Sequence, residues 1–296
     1  MADLSLIKKL REATGCGIAD CNKALAENKD DFEKSVDWLR KKGLASASKK
    51  TGRVASEGLV AVYINGNKSS IIEVNSETDF VARNEKFQQF VGKVAKEALN
   101  YGDDIVKFQT DKDEEVKTQI GVIGENINIR RIASLHVNKG LIVSYIHNAI
   151  AGDMGKIAVL IGFESVASND KLYEIGKQIA MHIAAAKPDA LTIENVEPAK
   201  LAREIDVLKE QARASGKPES IIEKMMEGRI RKYYEEVVLL EQAFVMDDKV
   251  KIKDLVAKFA KENGETKISG FKLYILGEGL EKKENNFAQE VASMTN

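Results

Sequence analysis

The sequence predicts an α+β protein in which helical and sheet-forming segments alternate along the chain. Three observations predict this class. Apolar residues recur at helical spacing in residues 1–43, a strand-like run at 58–64 has a near copy at 140–146, and only three prolines interrupt the 296 residues. Hydrophobic residues make up 44% of the chain, enough for several packed cores. We therefore expect a helical N-terminal module followed by two repeated α+β subdomains with antiparallel sheets.

Residues 1–53 are predicted to form a helical module and a linker. Three apolar stripes mark three short helices: Leu4, Ile7 and Leu10; Ile18, Cys21 and Leu25; Phe32, Val36 and Leu39. The third helix is expected to end at Gly43. Because no stripe is large enough to be buried alone, we expect a compact three-helix bundle of the ubiquitin-associated-like kind. Residues 44–53, rich in Ala, Ser and Lys, are predicted to be a linker, although they could extend the third helix.

The first subdomain, residues 54–139, is predicted to begin with a β-hairpin. The strand-like runs 59–64 and 70–74 flank Asn65-Gly66, a dipeptide that favours the positive φ angles of a two-residue turn. The later elements are an amphipathic helix capped by Asn84 and a third strand around residues 128–136.

The second subdomain, residues 140–281, repeats the order strand, strand, helix. Its first strand is the run 140–146, and its helix begins at Asn169. The wider spacing of this copy predicts a longer hairpin connection, residues 149–155, in place of the tight turn. A strand at 270–276 would complete the second sheet.

An antiparallel helical hairpin at about residues 195–236 is predicted to be inserted into the second subdomain. Its helices, 198–214 and 219–234, are separated by a Ser-Gly-Lys-Pro break. The hairpin could be a dimerisation arm, a partner-binding arm or an elaboration of the core. Residues 282–296 are predicted to form a short C-terminal helix.

Composition and motif content argue against an enzyme, a cofactor or a metal site. The chain has neither a Gly-x-x-x-x-Gly-Lys-Ser/Thr loop nor a Gly-x-Ser-x-Gly elbow. His136, His147 and His182 lack the spacing of a zinc motif, and Cys16 and Cys21 cannot form a closed zinc site alone. A net charge of −1 gives no bias toward nucleic acid. Without a signal peptide or a membrane-length apolar run, we expect a cytoplasmic protein with reduced thiols.

Residues 76–84 place an aromatic side chain and a carboxylate on a short connection between a predicted strand and a predicted helix. Two interpretations remain open at this stage. Asp79 could cap the following helix while Phe80 packs into the core, as most phenylalanines do. Alternatively, a loop held at both ends by rigid elements could present Phe80 to a partner at small entropic cost.

Other candidate positions have equally simple structural explanations. The turn 15–17 joins two helices and needs no partner. The pair 123–124 could be no more than a helix C-cap and turn. His147 follows a strand and could be a satisfied surface or core histidine, and His182 is expected to pack or hydrogen-bond on an apolar helix.

Five motifs, in order along nearly the whole chain, carry a family resemblance. They are TGCGIADCNKAL at 14–25, EVNSETDFVA at 73–82, IGENINIRR at 123–131, MHIAAAKP at 181–188 and GEGLE at 277–281. With these motifs the chain resembles the bacterial elongation factor Ts family. It departs from the family pattern at Cys16 and in the long connection 149–155.

The resemblance implies a guanine-nucleotide exchange factor for elongation factor Tu, the GTPase that brings aminoacyl-tRNA to the ribosome. It implies no enzyme activity, no cofactor and no direct contact with nucleic acid or membrane, and it leaves a homodimer through the helical hairpin open. The implied partner-binding residues form three sets: Thr78, Asp79, Phe80 and Val81 at the magnesium site, with Phe80 as a wedge; Ile123, Gly124 and His147 on the phosphate side; and Gly15, Cys16, Gly17, Ile18 and Ala19 in the N-terminal module.

Two other classes of function are kept as alternatives. A helical bundle joined to α+β modules could be a general interaction scaffold, which would bind the GTPase equally with and without nucleotide. An enzyme would need Glu77, Asp79 and His147 to converge on one solvent-filled pocket as acid–base groups.

Overall fold

The computed structural model of the protein describes residues 3–214 and 219–280, so the predicted C-terminal helix at 282–296 lies outside the described residues. The helices are α1 (Leu4–Thr14), α2 (Ile18–Glu27), α3 (Phe32–Ser48), α4 (Asp79–Ala82), α5 (Glu85–Ala98), α6 (Ile105–Ile123), α7 (Asn169–Ala186), α8 (Pro198–Ala214), α9 (Glu219–Val237) and α10 (Ile252–Asn263). The strands are β1 (Glu57–Asn65), β2 (Lys68–Ser76), β3 (Ile127–His136), β4 (Gly140–Ala151), β5 (Met154–Ser165), β6 (Ala243–Phe244), β7 (Asp247–Lys251) and β8 (Thr266–Ile275). The predicted α+β class is confirmed.

Six strands form one antiparallel sheet in the order β3-β2-β1-β5-β4, with β8 also paired to β5. The two halves of the sheet meet where β1 pairs with β5, at Val60↔Gly155 and Ala61↔Met154. The two expected sheets are therefore joined rather than separate. The division of the chain into two subdomains stays a prediction.

The two hairpin turns differ from their predicted positions. Asn65 still pairs with Lys68, so the first turn is Gly66-Asn67, and the positive φ of 61° falls on Gly66. In the second hairpin the expected long connection is wrong, because β4 and β5 continue to a tight turn at residues 152–153. A register shift between Ala149 and Ala151 takes up the added length as a β-bulge.

Apolar side chains pack on both faces of the sheet. One cluster lies between β1–β3 and helices α5 and α6, with Phe87 and Phe108 fully buried. A second lies between β4, β5 and β8 and helices α7 and α10. A third cluster takes residues from both halves, among them Val60, Ile71 and Leu160. The halves thus share a core as well as a sheet edge.

The N-terminal module is attached to the core through a continuous helix. Helices α1 to α3 pack around Leu10, Leu25 and other buried residues. The prediction that the third helix ends at Gly43 is wrong, because α3 continues to Ser48 and buries Ala47 in the first core cluster. At Gly43 the helix crosses α6, where a Cβ built on Gly121 would lie 2.9 Å from the Gly43 Cα. This packing outweighs the local preference of glycine for ending a helix.

Helices α8 and α9 form the predicted hairpin, with a small apolar cluster of Ile205, Leu208, Met226 and Ile230 between them. The hairpin is followed by β6, β7 and α10, none of which was predicted from the sequence. Throughout the part of the chain that the structure describes, every helix is too short or too polar to cross a membrane.

His182 is fully buried on α7, as predicted, and it ties β6 to that helix. Its Nδ1 accepts a hydrogen bond from the Val245 N–H at 3.3 Å, so its Nε2 donates to Gln242 Oε1 at 2.8 Å. Burial lowers the pKa of His182, so the ring is neutral at pH 7. The residue is accounted for by the fold.

Candidate functional site

Phe80 projects from the surface on the short helix α4. Its side chain is 79% exposed, whereas the next two residues, Val81 and Ala82, are 7% and 1% exposed and pack in the first core cluster. The interpretation that Phe80 packs into the core is therefore wrong. The core anchors one side of α4 and leaves the phenylalanine on the other.

Asp79 is the first residue of α4 and does not cap the helix that follows. That role belongs to Asn84, whose side chain accepts hydrogen bonds from the N–H groups of Lys86 at 2.9 Å and Phe87 at 3.3 Å, as predicted. Asp79 is exposed, and among the described residues its carboxylate has no hydrogen-bond or ion-pair partner. A free carboxylate beside an exposed aromatic ring can engage a partner through both charge and apolar contact.

Two carboxylates connect the segment before α4 to the turn between α6 and β3. Glu125 accepts hydrogen bonds from the Thr78 hydroxyl at 2.6 Å and from the Thr78 N–H at 3.0 Å. In the opposite direction, Glu77 accepts from the Asn126 N–H at 2.7 Å. We call these four residues the carboxylate clamp. It holds α4 next to the residues that end α6.

Gly124 forms the left-handed C-cap of α6, with φ of 90° and its N–H donated to the Ile120 carbonyl at 2.9 Å. The cap interpretation of this position is thus confirmed. Its own carbonyl accepts from Lys50 Nζ at 2.7 Å. Ile123 is half-buried against the first core cluster, and Gly124 is exposed. The last turn of α6 therefore presents backbone to solvent from a fixed position.

The turn between α1 and α2 lies close to that end of α6. Gly15 caps α1, and a Cβ built on it would lie 3.3 Å from Val122 Cγ1, one residue before Ile123. Lys86 Nζ donates to the Gly15 carbonyl at 3.4 Å. The turn is otherwise open to solvent: Gly17, Ile18 and Ala19 are exposed and Cys16 is half-buried.

Cys16 and Cys21 are not bonded to each other in the structure, and their reduced state stays a prediction. The Cys21 Sγ donates to the Cys16 carbonyl at 3.7 Å, and the Cys16 Sγ donates to the Thr14 carbonyl at 3.9 Å. Burial raises the pKa of the Cys21 thiol. These contacts stabilise the turn and explain why a cysteine is tolerated there.

His147 is exposed on β4, and its Nδ1 is 3.1 Å from the Tyr145 hydroxyl. The next residue, Asn148, has a positive φ of 52° at the bulge in this hairpin. Asn148 and Asp79 line the same surface depression of about 640 Å³. The bulged end of β4, residues 148–150, thus lies beside α4.

The structure brings most of the predicted site residues into one band. The band runs from the α1–α2 turn, across the end of α6 and the carboxylate clamp, to α4 and the bulged end of β4 that follows His147. Sequence reasoning missed Glu77 and Glu125 as clamp residues. The available signal was their position. Glu77 directly precedes Thr78, the N-cap of α4, and Glu125 directly follows Gly124, the C-cap of α6.

The arrangement does not form an acid–base centre from the residues considered for one. The Glu77 carboxylate is occupied by Asn126 and lies 3.5 Å from Arg53, and His147 is paired with Tyr145. Within the described ranges no hydrogen bond joins any two of Glu77, Asp79 and His147. The band is suited to binding another macromolecule.

Comparison with known proteins gives consistent matches over nearly the whole chain. A family model described as Elongation factor TS matches residues 77–278. The elongation factor Ts of Rhodospirillum centenum is 54% identical over 305 aligned residues, which cover 99% of each chain. That of Paramagnetospirillum magneticum is 52% identical, over 98% of this chain and 96% of the relative. That of Gluconobacter oxydans is 49% identical, over 99% and 98% respectively.

Proposed function

The chain belongs to the bacterial elongation factor Ts family, as its collinear motifs indicated, and we propose from this membership that it promotes nucleotide exchange on elongation factor Tu during translation elongation. Such a factor binds the GTPase with GDP bound and speeds the release of GDP. It makes and breaks no covalent bond, so it is not an enzyme in the usual sense. It acts in the cytoplasm, where translation takes place.

At the level of mechanism, we propose that Phe80 is the wedge that disturbs the magnesium site of the GTPase. The observation that carries this proposal is the 79% exposure of a phenylalanine whose two following neighbours are buried. An aromatic ring mounted on a packed support loses little conformational entropy when it inserts between elements of a partner. Thr78 and Asp79 accompany it into the interface, and Val81 contributes by anchoring α4 from below.

A single wedge cannot account for exchange by itself. Nanomolar nucleotide binding corresponds to about 12 kcal/mol, and a thousandfold faster release needs the barrier lowered by roughly 4 kcal/mol. Burial of one phenylalanine side chain supplies only about 1.5–3 kcal/mol. The remaining free energy has to come from other contacts along the band.

We assign those contacts to the remaining residues of the band. Ile123, Gly124 and His147 act on the phosphate side of the nucleotide site. The exposed residues of the α1–α2 turn, with Ile18 at 58% exposure, supply binding energy against the GTPase domain. The support for this division is the chain of contacts that links them to α4: Gly15 lies against Val122, Glu125 holds Thr78, and Asn148 shares a surface depression with Asp79.

Linkage fixes the direction of the effect. If the factor weakens nucleotide binding by a given ratio, bound nucleotide must weaken binding of the factor by the same ratio. An exchange factor therefore binds nucleotide-free elongation factor Tu more tightly than the GDP-bound form. A general scaffold would bind both forms equally, which a titration of the two forms distinguishes.

The wedge is tested by stopped-flow release of a fluorescent GDP analogue from elongation factor Tu, with wild-type factor and Phe80→Ala over a range of factor concentrations. We expect a maximal release rate at least tenfold lower for Phe80→Ala, because the lost burial of about 1.5–3 kcal/mol corresponds to roughly one to two powers of ten. Complex formation should be largely retained.

Val106→Ala is the matched control for this experiment. Val106 is an apolar side chain of similar exposure, 71%, at the opposite end of α6 from Ile123. Its removal should leave the release rate unchanged. Equal rates for wild-type and Phe80→Ala would contradict the wedge.

A further inference from the structure

We propose that Glu125 is a positioning residue, which makes Phe80 and the end of α6 act on the partner as one rigid unit. Glu125 need not contact the partner. Its role is to hold α4 at a fixed distance from Ile123 and Gly124. The inference rests on the proposed function of these residues and adds a specific cause for their cooperation.

Helix α4 needs support from outside itself. It has four residues. So short a helix does not form in isolation, because the free-energy cost of nucleating it exceeds the stabilisation from the hydrogen bonds of one turn. Thr78 occupies its N-cap position, yet the Thr78 side chain makes no capping bond to the helix. Its hydroxyl and its N–H both point to Glu125 instead, at 2.6 Å and 3.0 Å. A carboxylate 47 residues along the chain thus determines where α4 begins.

The clamp is reinforced from the opposite direction by a bond that is largely shielded from water. Glu77 accepts from the Asn126 N–H at 2.7 Å, with its side chain 15% exposed and Asn126 5% exposed. Charge-assisted hydrogen bonds of this kind are stronger than neutral ones, and more so where water is excluded. Loss of the Glu77–Asn126 bond leaves the two bonds between Glu125 and Thr78 in place. Loss of Glu125, by contrast, removes both bonds to Thr78.

The segment after α3 joins the same unit. The Asn126 side chain donates to the Arg53 carbonyl at 2.7 Å, and Lys50 Nζ donates to the Gly124 carbonyl at 2.7 Å. Three stretches distant in sequence, 50–53, 76–79 and 123–126, therefore meet at the clamp. The N-terminal module, the end of α6 and α4 cannot shift independently while these bonds hold.

From this geometry we expect Glu125→Ala to lower the maximal rate of GDP release by about ten- to a hundredfold, the cost of misplacing an acting group by about 1 Å. The factor concentration for half-maximal rate should change less than threefold, because the exposed binding residues of the α1–α2 turn are untouched. The assay is the stopped-flow GDP release described above, performed with the full chain.

Three further variants make the test specific. Glu125→Gln keeps a carbonyl oxygen that can accept from Thr78 and should recover a large part of the rate. Thr78→Val removes the hydroxyl bond and keeps the N–H bond, so its loss should be smaller than that of Glu125→Ala. Asp113→Ala is the control: it removes a carboxylate within α6 that pairs with Lys117 at 2.6 Å on the surface, and it should behave as wild type.

A double-mutant comparison separates positioning from a general loss of stability. If Glu125 acts through Phe80, then Glu125→Ala should slow release by no more than about twofold further in a Phe80→Ala background. Hydrogen–deuterium exchange should show faster exchange at residues 78–84 in Glu125→Ala, with the sheet unchanged. If Glu125→Ala does not fold, Glu125→Gln and Thr78→Val carry both measurements.

The outcomes distinguish this inference from the proposed function. A normal release rate for Glu125→Ala, or unchanged exchange at residues 78–84, overturns the positioning role, while a slow Phe80→Ala keeps the wedge. Independent, multiplicative effects of Phe80→Ala and Glu125→Ala also overturn it. A normal rate for Phe80→Ala overturns both.

Discussion

The carboxylate of Glu73 is fully buried on β2 and joins parts of the chain that are far apart in sequence. It accepts hydrogen bonds from Arg130 Nη1 at 3.0 Å, Arg131 Nε at 2.6 Å and the Gly277 N–H at 2.9 Å. Arg131 lies 4.1 Å from the ring centroid of Tyr274, whose pKa burial raises to about 12. One residue therefore fastens the segment after β8 to the first half of the sheet.

We predict that Glu73→Gln lowers the free energy of unfolding by about 3 kcal/mol, the lower end of the usual cost of breaking a buried ion pair. The lower end applies because the two arginines are about a quarter exposed and can be rehydrated in part. Urea denaturation measures the change. The Gly277 N–H, which donates a hydrogen bond to Glu73, should also exchange faster with deuterium.

The control for Glu73 is Glu114→Gln. Glu114 pairs with Arg40 at 3.1 Å, and both side chains are more than half exposed. Exposed pairs contribute up to about 1 kcal/mol, so this variant should stay within that range. Equal losses for the two variants would show that Glu73 adds nothing beyond an ordinary surface pair.

Among the helices, the crossing of α3 and α6 determines how the N-terminal module is held. The two helices approach closely at Gly43 and Gly121, and the approach is unequal. A Cβ on Gly121 would lie 2.9 Å from the Gly43 Cα, whereas a Cβ on Gly43 would lie 3.7 Å from the Gly121 Cα, an ordinary contact. Because the obstacle at Gly121 is backbone, only movement of a whole helix can relieve it.

This asymmetry predicts different effects for two chemically identical substitutions. Either Gly→Ala change gains about 1 kcal/mol of helix propensity. In Gly43→Ala that gain should raise or preserve the melting temperature. In Gly121→Ala, overpacking costs about 1–3 kcal/mol, which should offset or exceed the gain in helix propensity. The melting temperature of Gly121→Ala should therefore be lower than that of Gly43→Ala. Thermal denaturation of both variants is the measurement, and the reverse order would contradict the close crossing.

For the molecule as a whole, the two halves are held together by β1–β5 pairing, a shared apolar cluster and the Glu73 network. The α8–α9 hairpin is different. Its cluster of Ile205, Leu208, Met226 and Ile230 is separate from the three clusters that pack against the sheet. Its base packs on Ala190, Val196 and Val238, next to an isolated bridge. The hairpin is thus a peripheral arm with its own small interior.

We predict that replacing residues 205–230 with a linker of about four residues, enough to span helices roughly 10 Å apart, leaves the melting temperature of the core and the rate of GDP release nearly unchanged. The reason is that the described apolar side chains of this range that pack together form the hairpin's own cluster and belong to none of the clusters that pack against the sheet. If the hairpin is the dimerisation arm considered from the sequence, the full chain should sediment as a dimer and the shortened chain as a monomer. A dimer in both cases would place the contact elsewhere.

Much of the fold and of the site could be predicted from local patterns. The apolar stripes of α1, α2 and α5 and the capping role of Asn84 all depend on neighbouring residues. The predicted break at 215–218 lies outside the described residues. The five motifs identified the family. Residue patterns left Phe80 undecided, because the surrounding Val81 and Ala82 are apolar as well and a four-residue helix has no periodicity to read.

The amino-acid order by itself determined the family and most of the helices and strands, because both depend on residues close together in the chain. Only the tertiary structure decided that α3 continues past Gly43, that Phe80 faces solvent and that Glu125 reaches Thr78. Each of these depends on contact between segments distant in sequence, such as Gly43 with Gly121. A side chain's burial and its hydrogen-bond partners are properties of where its segment packs, and local sequence does not encode that position.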